Sequence, residues 1–417
     1  MQGAREGVQA PEAGEILGAL RASAGLYVHV PFCASICPFC PYNKVILREA
    51  PARRYFGALD AEVDRYLEHF EGCFDSLYVG GGTPTLCLDE LARLVPRLPI
   101  QGERAIEVLP THADPRTLAR LRELGFDYVS LGIQSFDEGV LRHLQRPHSA
   151  ADNRRALENA IGRFACVDVD LIFDVAYESE KSLLSDLELC FRAGVDQVSA
   201  YPLMRFAYTP FGKARHDRRT EHRLLRAGER LAARHGYERR SVWTFNRCGG
   251  PAYTSITREF YLGLGAGAAT YTGSEFLANH FSIERYAADL EAGRLPLARR
   301  ARLGELRGAL YYGFWQAYTG RVELRRFERL FPVARRLRPL VRLLAWAGFV
   351  DLDGRSARLT PRGYDLYHDL ERWVTYHFIE PLWAEMMAEH GEAGPAVRGE
   401  RGHGRLLWTL TERALRP

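Results

Sequence analysis

The sequence predicts an α/β protein in two parts: a partial (β/α)6 barrel of the TIM type and a winged-helix-like α+β domain. Short apolar segments with strand character alternate with helical segments six times between Leu26 and Leu203. This alternation indicates a mostly parallel sheet, either a βα barrel or an open α/β sheet. Six units fit a partial barrel better than the eight-fold one. From residue 298 the pattern changes to helix, helix, small hairpin and helix.

The first strand is LYVHV at Leu26–Val30, which Pro31 ends. From Tyr55 to Phe70 apolar residues recur three and four positions apart, as on the buried face of a helix. The remaining strands are predicted in SLYVGGG, AIEVL, DYVSLGIQS, VDVDLIFDV and QVSAYPL. Further helices are predicted at Leu88–Arg97, in PRTLARLRELG, DEGVLRHL, ADNRRALENAI and EKSLLSDLELCFRAG, and at Thr220–Arg234. Helical segments thus follow the strands, as the crossovers of a parallel sheet require.

The winged-helix-like domain is predicted from its hairpin, FVDLDGRSARLT, with Asp353-Gly354 as the turn. Such domains often bind DNA. Here the last helix carries Asp365, Asp369 and Glu371, which repel phosphates, so a lid or docking role is favoured. The predicted organisation is a lead-in at 1–24, the barrel with an extension at 25–297, this domain at 298–390 and a tail at 391–417.

Composition excludes several classes of protein. A formal charge of +4 over 417 residues gives no case for a nucleic-acid partner, and 47% hydrophobic residues allow a substantial core. Acidic residues in the first fifteen positions and the lack of a long apolar run argue against a secretory signal and a membrane span. A cytoplasmic protein is therefore predicted, in which the eight cysteines are thiols or metal ligands.

The spacing of three cysteines is the strongest chemical signal. Cys33, Cys37 and Cys40 form C-x3-C-x2-C directly after a strand. Three thiolates at this spacing can bind three irons of one cubane, which leaves the fourth iron open to a small chelator. S-adenosylmethionine (SAM) offers an amino and a carboxylate group for that iron. Zinc usually takes paired C-x2-C knuckles, and the other five cysteines are isolated, so a [4Fe–4S] cluster is predicted.

The motifs around these cysteines extend the pattern over residues 25–300. They are Tyr27-Val-His-Val-Pro-Phe-Cys33, Asn43-Lys44, Gly80-Gly-Gly-Thr-Pro-Thr85, Ala105-Ile-Glu107, Ser130-Leu-Gly-Ile-Gln-Ser-Phe136, Arg146-Pro-His148 and Asp168-Val-Asp-Leu-Ile172. Together they resemble the radical SAM family of oxygen-independent coproporphyrinogen III oxidases.

The resemblance implies which residues surround a cluster-bound SAM. These are Tyr27, Phe39, Gly81, Gly82, Thr83, Glu107, Gln134, Arg146 and Asp170. Several lie at or near the carboxyl ends of predicted strands, the face that holds the active site of a βα barrel. Tyr27 and Gln134 also fit ordinary barrel-interior positions, and Arg146 also fits a solvated surface charge.

A second glycine run, Gly263-Leu-Gly-Ala-Gly-Ala268, formally fits the dinucleotide pattern G-x-G-x-x-A. That interpretation needs a strand, turn and helix with an acidic residue downstream, for which Glu284 has about the right spacing. The run, however, follows a complete barrel with its own cofactor. The family has a similar segment near a second SAM, which implies that Tyr253–Thr270, and Gly265 and Ala266 within it, line a second SAM.

One segment departs from the family. After the strand VDLI the family usually reads GLPGQT, whereas Phe173–Glu180 is acidic and lacks the glycine–proline turn. Members with altered substrate loops include class C radical SAM C-methyltransferases. The main hypothesis is therefore that two SAM molecules and an external one-electron donor methylate or cyclopropanate an sp2 carbon. The substrate would be a small molecule or modified peptide with a heteroaromatic ring, such as a thiopeptide thiazole. Tyr201, Phe206, Tyr208 and Phe211 are aromatic candidates for stacking on it.

Two alternatives stay open. The first is oxidative decarboxylation of coproporphyrinogen III, whose propionates need basic partners such as Arg205, Lys213 and Arg215. The second is a haem-binding, chaperone-like protein, in which His29 and His148 are conceivable haem ligands.

Overall fold

The computed structural model describes residues 11–20, 24–175, 180–213, 217–251 and 259–388. Five predictions fall wholly or partly outside these ranges: residues 1–10 and 21–23 of the lead-in, residues 253–258 of the second-SAM wall, residues 176–179 of the altered turn, Arg215, and the tail. No helix in the described ranges is long and apolar enough to cross a membrane.

The described residues from 11 to 302 form one twelve-stranded sheet with helices and a small β-ribbon. The strands are β1 (Ala24–Val30), β2 (Phe32–Cys33), β3 (Val45–Ile46), β4 (Phe74–Gly81), β5 (Ile100–Val108), β6 (Tyr128–Gln134), β7 (Cys166–Phe173), β8 (Gln197–Pro202), β9 (Tyr237–Arg239), β10 (Thr244–Arg247), β11 (Phe260–Leu264), β12 (Ala269–Tyr271), β13 (Glu275–Asn279) and β14 (Leu297–Arg302). The α-helices are α1 (Ala13–Ala19), α2 (Glu49–Leu67), α3 (Leu88–Leu94), α4 (Pro115–Glu123), α5 (Glu138–His143), α6 (Ala150–Ala160), α7 (Glu180–Ala193), α8 (Arg218–Arg234) and α9 (Ile283–Glu291).

The sheet order is β14-β13-β12-β11-β1-β4-β5-β6-β7-β8-β10-β9, and β2 pairs with β3 separately. The seven strands from β11 to β8 in this order run parallel, flanked by antiparallel strands on both sides. The sheet keeps two edges, so it is an open partial barrel, as predicted. The six predicted parallel strands are all present. A seventh, β11, was missed because its sequence FYLGL runs straight into the glycine-rich turn.

The parallel strands carry the core. β7 has seven buried residues out of eight, which explains its nearly continuous apolar sequence. Helices begin at local signals: Asp114 caps the N-terminus of α4 through the backbone amides of Arg116 and Thr117, and Ser149 and Asp152 form a capping box at the start of α6. Because these strands are parallel, their carboxyl ends meet at one edge of the sheet.

The C-terminal part is a winged-helix-like unit. It contains α10 (Glu305–Tyr318), β15 (Arg321–Glu323), α11 (Leu324–Leu330), α12 (Arg338–Trp346), β16 (Val350–Leu352), β17 (Ser356–Leu359), α13 (Pro361–Val374) and α14 (Glu380–Ala388). A π-helical turn, Thr375–Ile379, joins α13 to α14. The sheet order is β15-β17-β16, with the hairpin turn at Asp353-Gly354 as predicted. The predicted boundary at 298 falls inside β14, which belongs to the large sheet, so this unit begins at α10.

A buried carboxylate on α2 fixes the turn after β11. Both oxygens of Glu62 are bonded: Oε2 accepts from the Gly265 amide (2.8 Å) and the Tyr286 hydroxyl (2.6 Å), and Oε1 from the Asn279 amide (2.8 Å). Burial raises the pKa of Glu62 to about 7, although these donors pull it down. Gly265 has φ +97°, and a Cβ there would lie 2.4 Å from the Tyr55 hydroxyl oxygen.

We expect Gly265→Ala to destabilise the protein by about 3 kcal/mol or more, because it adds a steric clash to an unfavourable φ. Gly162→Ala is the matched control: its φ is +75°, and nothing lies within 4 Å of the added Cβ. That control should cost only about 1–2 kcal/mol of backbone strain. Denaturant unfolding of both variants measures the difference, and equal losses would contradict the clash.

Candidate active site

A cavity of about 1450 Å³ opens where the parallel strands end. Its wall includes residues at or just after the carboxyl ends of β1, β4, β5, β6, β7 and β8. The other wall comes from the C-terminal unit, chiefly α10, α13 and the π-helical turn. The predicted active-site face of the barrel is therefore the floor of a large cavity between the sheet and the C-terminal unit.

The cysteine loop lies at this floor. Cys33, Cys37 and Cys40 all line the cavity, and the described residues show all three as free thiols. The loop is anchored by the β2–β3 ribbon, in which the Leu47 amide donates to the Cys33 carbonyl (2.9 Å). Lys44 closes its far end by donating to the Cys40 carbonyl (2.6 Å). The loop is therefore held by backbone contacts outside the thiols.

The donor set fits an iron–sulfur cluster better than a single ion. No three His, Cys, Asp or Glu side chains in the described ranges are grouped so as to hold one metal ion. A cubane is a larger body, to which separate thiolates bind different irons. Burial raises the pKa of Cys33 to about 11 and also raises that of Cys40, so both are neutral without metal. Bound iron would displace these protons, since a coordinating thiol is deprotonated. Arg146 Nη1 donates to Cys37 Sγ (3.2 Å) and would balance thiolate charge.

The glycine-rich turn lies directly above this loop. The amides of Gly82 and Thr83 donate to the Val30 and Phe32 carbonyls, both at 2.7 Å. A Cβ on Gly82 would lie 2.5 Å from the Phe32 oxygen. Gly81 has φ +119°, and a Cβ on it would meet the His29 ring at 2.7 Å. These two positions therefore require glycine.

Glu107 is held in place before any ligand binds. Its Oε1 accepts from the Tyr78 hydroxyl (2.6 Å) and its Oε2 from the Gly81 amide (3.0 Å). Burial raises its pKa, which these two donors partly oppose. The carboxylate is thus oriented toward the cavity at a cost in desolvation that a cationic ligand would offset.

Tyr27 belongs to a buried relay with a fixed direction. Its hydroxyl donates to His29 Nδ1 (2.7 Å), and His29 Nε2 donates to the Asn43 carbonyl (2.9 Å). Burial lowers the pKa of His29 to about 4, so the ring is neutral, with its proton on Nε2. The Asn43 side chain in turn donates to the Ala266 carbonyl (3.0 Å). The relay links the cluster loop to the turn after β11.

Three more predicted residues meet at the ends of β6 and β7. Gln134 has φ +68°, an uncommon conformation for a residue with a side chain, and such strain concentrates at functional sites. Asp170 accepts a hydrogen bond from Ser130, and burial followed by the charge of Asp168 raises its pKa. Arg146 Nη2 donates to the Gly132 carbonyl (2.9 Å), which directs the guanidinium to Cys37.

The remaining predicted residues divide into two groups. Phe39 lines the cavity and packs against the apolar cluster that includes Ile172 and Leu203. Gly265 and Ala266 do not reach the cavity surface: Ala266 is fully buried and both residues are bonded within the turn. In the described part of the second-SAM wall, Tyr261, Gly267 and Ala269 line the cavity instead.

The sequence suggested a lid or docking role for the C-terminal unit but not which of its side chains line the cavity. Its cavity-lining side chains include Phe314, Trp315, Tyr318, Tyr367, Glu371, Trp373, Phe378 and Trp383. The available signal was α10 itself, whose sequence ALYYGFWQAY is apolar on nearly every side. A helix of that kind packs on more than one face, which an ordinary surface helix does not.

Comparison with known proteins places the chain in a family. It is 32% identical over 305 residues to the heme chaperone HemW of Mycobacterium tuberculosis, which covers 67% of this chain and 77% of that protein. The model of the radical SAM superfamily matches residues 27–189. The chain belongs to the radical SAM superfamily.

Other relatives of this radical SAM protein are oxidases by name. It is 28% identical over 309 residues to the oxygen-independent coproporphyrinogen III oxidase of Pseudomonas aeruginosa, covering 66% of this chain and 67% of that one. The structure of the Escherichia coli coproporphyrinogen III oxidase HemN matches 87% of this chain and 92% of that chain. The TM-score is 0.72 at 24% identity, which shows the shared fold.

The expectation of a class C C-methyltransferase is wrong. The curated relatives are named as coproporphyrinogen III oxidases or heme chaperones. The altered segment Phe173–Glu180, on which that hypothesis depended, is eight residues long, whereas the similarity to those proteins extends over about two thirds of the chain. That interpretation gave one divergent loop more weight than all the motifs that resemble the oxidases.

We expect Cys37→Ala to lose the iron and sulfide of the reconstituted protein and its capacity to cleave SAM, because the cubane loses one of three thiolates. Cys73→Ala is the matched control, since Cys73 is an exposed thiol outside the cavity. Iron and sulfide analysis and 5′-deoxyadenosine formation measure both variants. A Cys37→Ala protein that keeps a full cluster would contradict the assignment.

Proposed function

We propose that this radical SAM protein is an oxidoreductase acting on a tetrapyrrole, with coproporphyrinogen III as the substrate to test first. One observation carries the proposal: the cluster loop, the predicted SAM-binding side chains and a mostly aromatic chamber line one continuous cavity. Its volume, about 1450 Å³, exceeds the roughly 300–1,000 Å³ of ordinary small-molecule sites. The names of the relatives support this substrate class, since porphyrinogen oxidases and heme chaperones both handle tetrapyrroles.

The chain's own residues have distinct tasks in this proposal. Cys33, Cys37 and Cys40 hold the cluster, which when bound supplies the electron that cleaves SAM. Glu107 and Asp170 provide negative charge for the cationic SAM. The aromatic walls exclude water, which protects a radical from side reactions.

For each propionate, the proposed conversion would remove one hydrogen atom from the β-carbon, which the adenosyl fragment of a bound SAM would take up. The carboxylate would leave as carbon dioxide, one electron would pass to an external one-electron acceptor, and a vinyl group would remain. A separate external one-electron donor would supply each SAM cleavage.

The basic partners of the propionates differ from those expected. Arg205 is buried, bonded to the Asp174 carboxylate (2.6 Å) and to its carbonyl, and does not line the cavity. Lys213 and Arg215 contribute no described side chain. In the described part of the chain the cavity-lining basic side chains are Lys44, Arg146, Arg307 and Arg321. Because Lys44 and Arg146 serve the cluster loop, the candidates for propionates are Arg307 and Arg321, of which Arg321 also pairs with Glu323 (2.6 Å).

The haem-chaperone alternative loses its expected ligands. Both ring nitrogens of His29 are engaged, and His148 is buried away from the cavity wall with its Nε2 near the Ile133 carbonyl (3.4 Å). Neither imidazole has a free nitrogen that faces the cavity. Catalysis is therefore the better-supported role.

The first test is anaerobic turnover by the reconstituted full-length protein with SAM, a chemical reductant, an electron acceptor and coproporphyrinogen III. We expect 5′-deoxyadenosine, carbon dioxide and a vinyl-bearing product in equal amounts per propionate lost. A haem titration runs in parallel. Tight haem binding without porphyrinogen turnover would overturn the proposal in favour of the chaperone.

Equilibrium dialysis of labelled SAM measures whether one or two molecules bind; we propose two.

We also expect Arg307→Gln to raise KM for coproporphyrinogen III by about tenfold, since one charge-assisted hydrogen bond is worth roughly 1.5–3 kcal/mol. SAM cleavage without substrate should stay unchanged. Arg302→Gln is the control: Arg302 is exposed, lies on the preceding strand and does not line the cavity. An unchanged KM in Arg307→Gln would remove this residue from the propionate site.

A further inference from the structure

Two buried polar atoms in the cavity wall have no partner. Glu371 on α13 is 5% exposed and Tyr318 on α10 is 1% exposed, and both residues line the cavity. In the described structure neither Glu371 Oε2 nor the Tyr318 hydroxyl makes a hydrogen bond. Buried polar groups in folded proteins nearly always have partners, so two unpartnered groups in one cavity point to a missing ligand.

The surroundings of Glu371 leave Oε2 without a cation. Its Oε1 accepts from the Thr375 hydroxyl (2.8 Å), at the start of the π-helical turn. The adjacent Arg372 pairs with Glu221 on α8 (3.1 Å). A π-helical turn is rare and is frequently found at functional sites. The Glu371 carboxylate is thus oriented by one hydrogen bond, to its Oε1.

Tyr318 is also a buried polar side chain whose hydroxyl has no hydrogen-bond partner in the described structure. A weak contact with Ser241 lowers its pKa, but this contact does not have hydrogen-bond geometry, and the Ser241 hydroxyl is bonded to Thr244 (2.7 Å). The charge of Glu371 raises the pKa of Tyr318, after burial, so the two groups are neighbours. Phe314 and Tyr367, whose rings stack at 5.2 Å, belong to the same part of the wall.

This polar pair shares the cavity with the SAM-side residues. Tyr42 follows the cluster loop directly and is 54% exposed. Burial, and then the charges of Tyr318 and Asp170, raise the pKa of Tyr201 at the end of β8. Both tyrosines line the cavity. A substrate between them would contact the SAM end and the Glu371 end together.

We propose that Glu371 and Tyr318 form a binding subsite for a planar heterocycle, in which Glu371 Oε2 accepts a hydrogen bond from the ring N–H. The Tyr318 hydroxyl completes the polar edge, and the aromatic side chains cover the ring faces. The existence of the subsite is independent of the proposed function. Only the identification of the ring as the pyrrole of a porphyrinogen rests on it.

Indole and 1-methylindole test the subsite, because they differ only in the ring N–H. We expect the reconstituted full-length protein to bind indole about tenfold more tightly, as measured by titration calorimetry. Glu371→Leu should bind both equally, and Glu371→Gln should keep part of the preference because its amide oxygen still accepts. Tyr318→Phe should reduce the preference about threefold. Glu385→Gln is the control, an exposed residue outside the cavity.

The pH dependence separates this role from a structural one. Burial raises the pKa of Glu371 to about 7, and the charges around it are Arg372 on its own helix and Glu221 on α8. The tyrosines that respond to its charge are Tyr318, Tyr367 and Tyr42. A carboxylate accepts more strongly than a carboxylic acid, so the preference for indole should grow from about pH 6 to about pH 8. In Glu371→Gln it should stay flat.

The outcomes are distinguishable. Equal binding of the two probes by the unmodified protein, or a full preference in Glu371→Leu, would overturn the subsite. Should Glu371→Leu fail to fold, the flat pH profile of Glu371→Gln and the reduced preference of Tyr318→Phe decide the question. Discrimination of the probes together with no turnover of coproporphyrinogen III would overturn the proposed function alone.

Discussion

The contact between the β2–β3 ribbon and the glycine-rich turn is the constraint on which the site depends. The register of β1 against β4 places Val30 beside Gly81, and two 2.7 Å hydrogen bonds then join the Gly82 and Thr83 amides to that segment. A side chain at Gly82 would break this contact. The cysteine loop begins at β2, beside this contact. The same contact therefore sets the position of a bound cluster relative to Glu107, whose carboxylate accepts a hydrogen bond from the Gly81 amide.

The electrostatics of the cavity follow from this placement. Burial at the strand ends raises the pKa values of Glu107, Asp168 and Asp170, which makes three carboxyl groups costly to ionise. SAM carries positive charge on its sulfonium and amino groups, so its binding would favour their ionised forms. The floor of the cavity is thus suited to a cation, whereas the described wall from the C-terminal unit is mostly aromatic and carries Arg307, Arg321 and Glu371 as its charged side chains. That contrast separates a cofactor end from a substrate end.

Much of this was readable from the sequence because it depends on local pattern. Parallel strands are buried on both faces, so their apolar segments stand out, and the cysteine and glycine motifs follow them directly. Gly265 and Ala266 show what local pattern cannot distinguish. A glycine-rich turn has the same sequence pattern whether it approaches a ligand or a buried carboxylate. Here Glu62, 203 residues away in sequence, is the group it approaches. Arg205 was expected to bind a propionate, and that expectation failed for the same reason: its partner Asp174 lies at the end of another strand. The substrate hypothesis failed because one divergent turn was weighted above the frame around it.

The acidic side chains of α13 were interpreted together, as a face that repels phosphate, but helix geometry divides them. Asp365 and Asp369 are four residues apart and share a face, whereas Glu371, two residues on, points to the other side. His222 on α8 lies between the first two, with Nδ1 3.0 Å from Asp365 Oδ1 and Nε2 2.9 Å from Asp369 Oδ1. Arg226 and Arg218 add further ion pairs to the same two aspartates. These bonds fix the rotation of α13 about its axis, and that rotation turns Glu371 into the cavity. The C-terminal unit is therefore a wall of the site whose orientation is set by charges on its outer side.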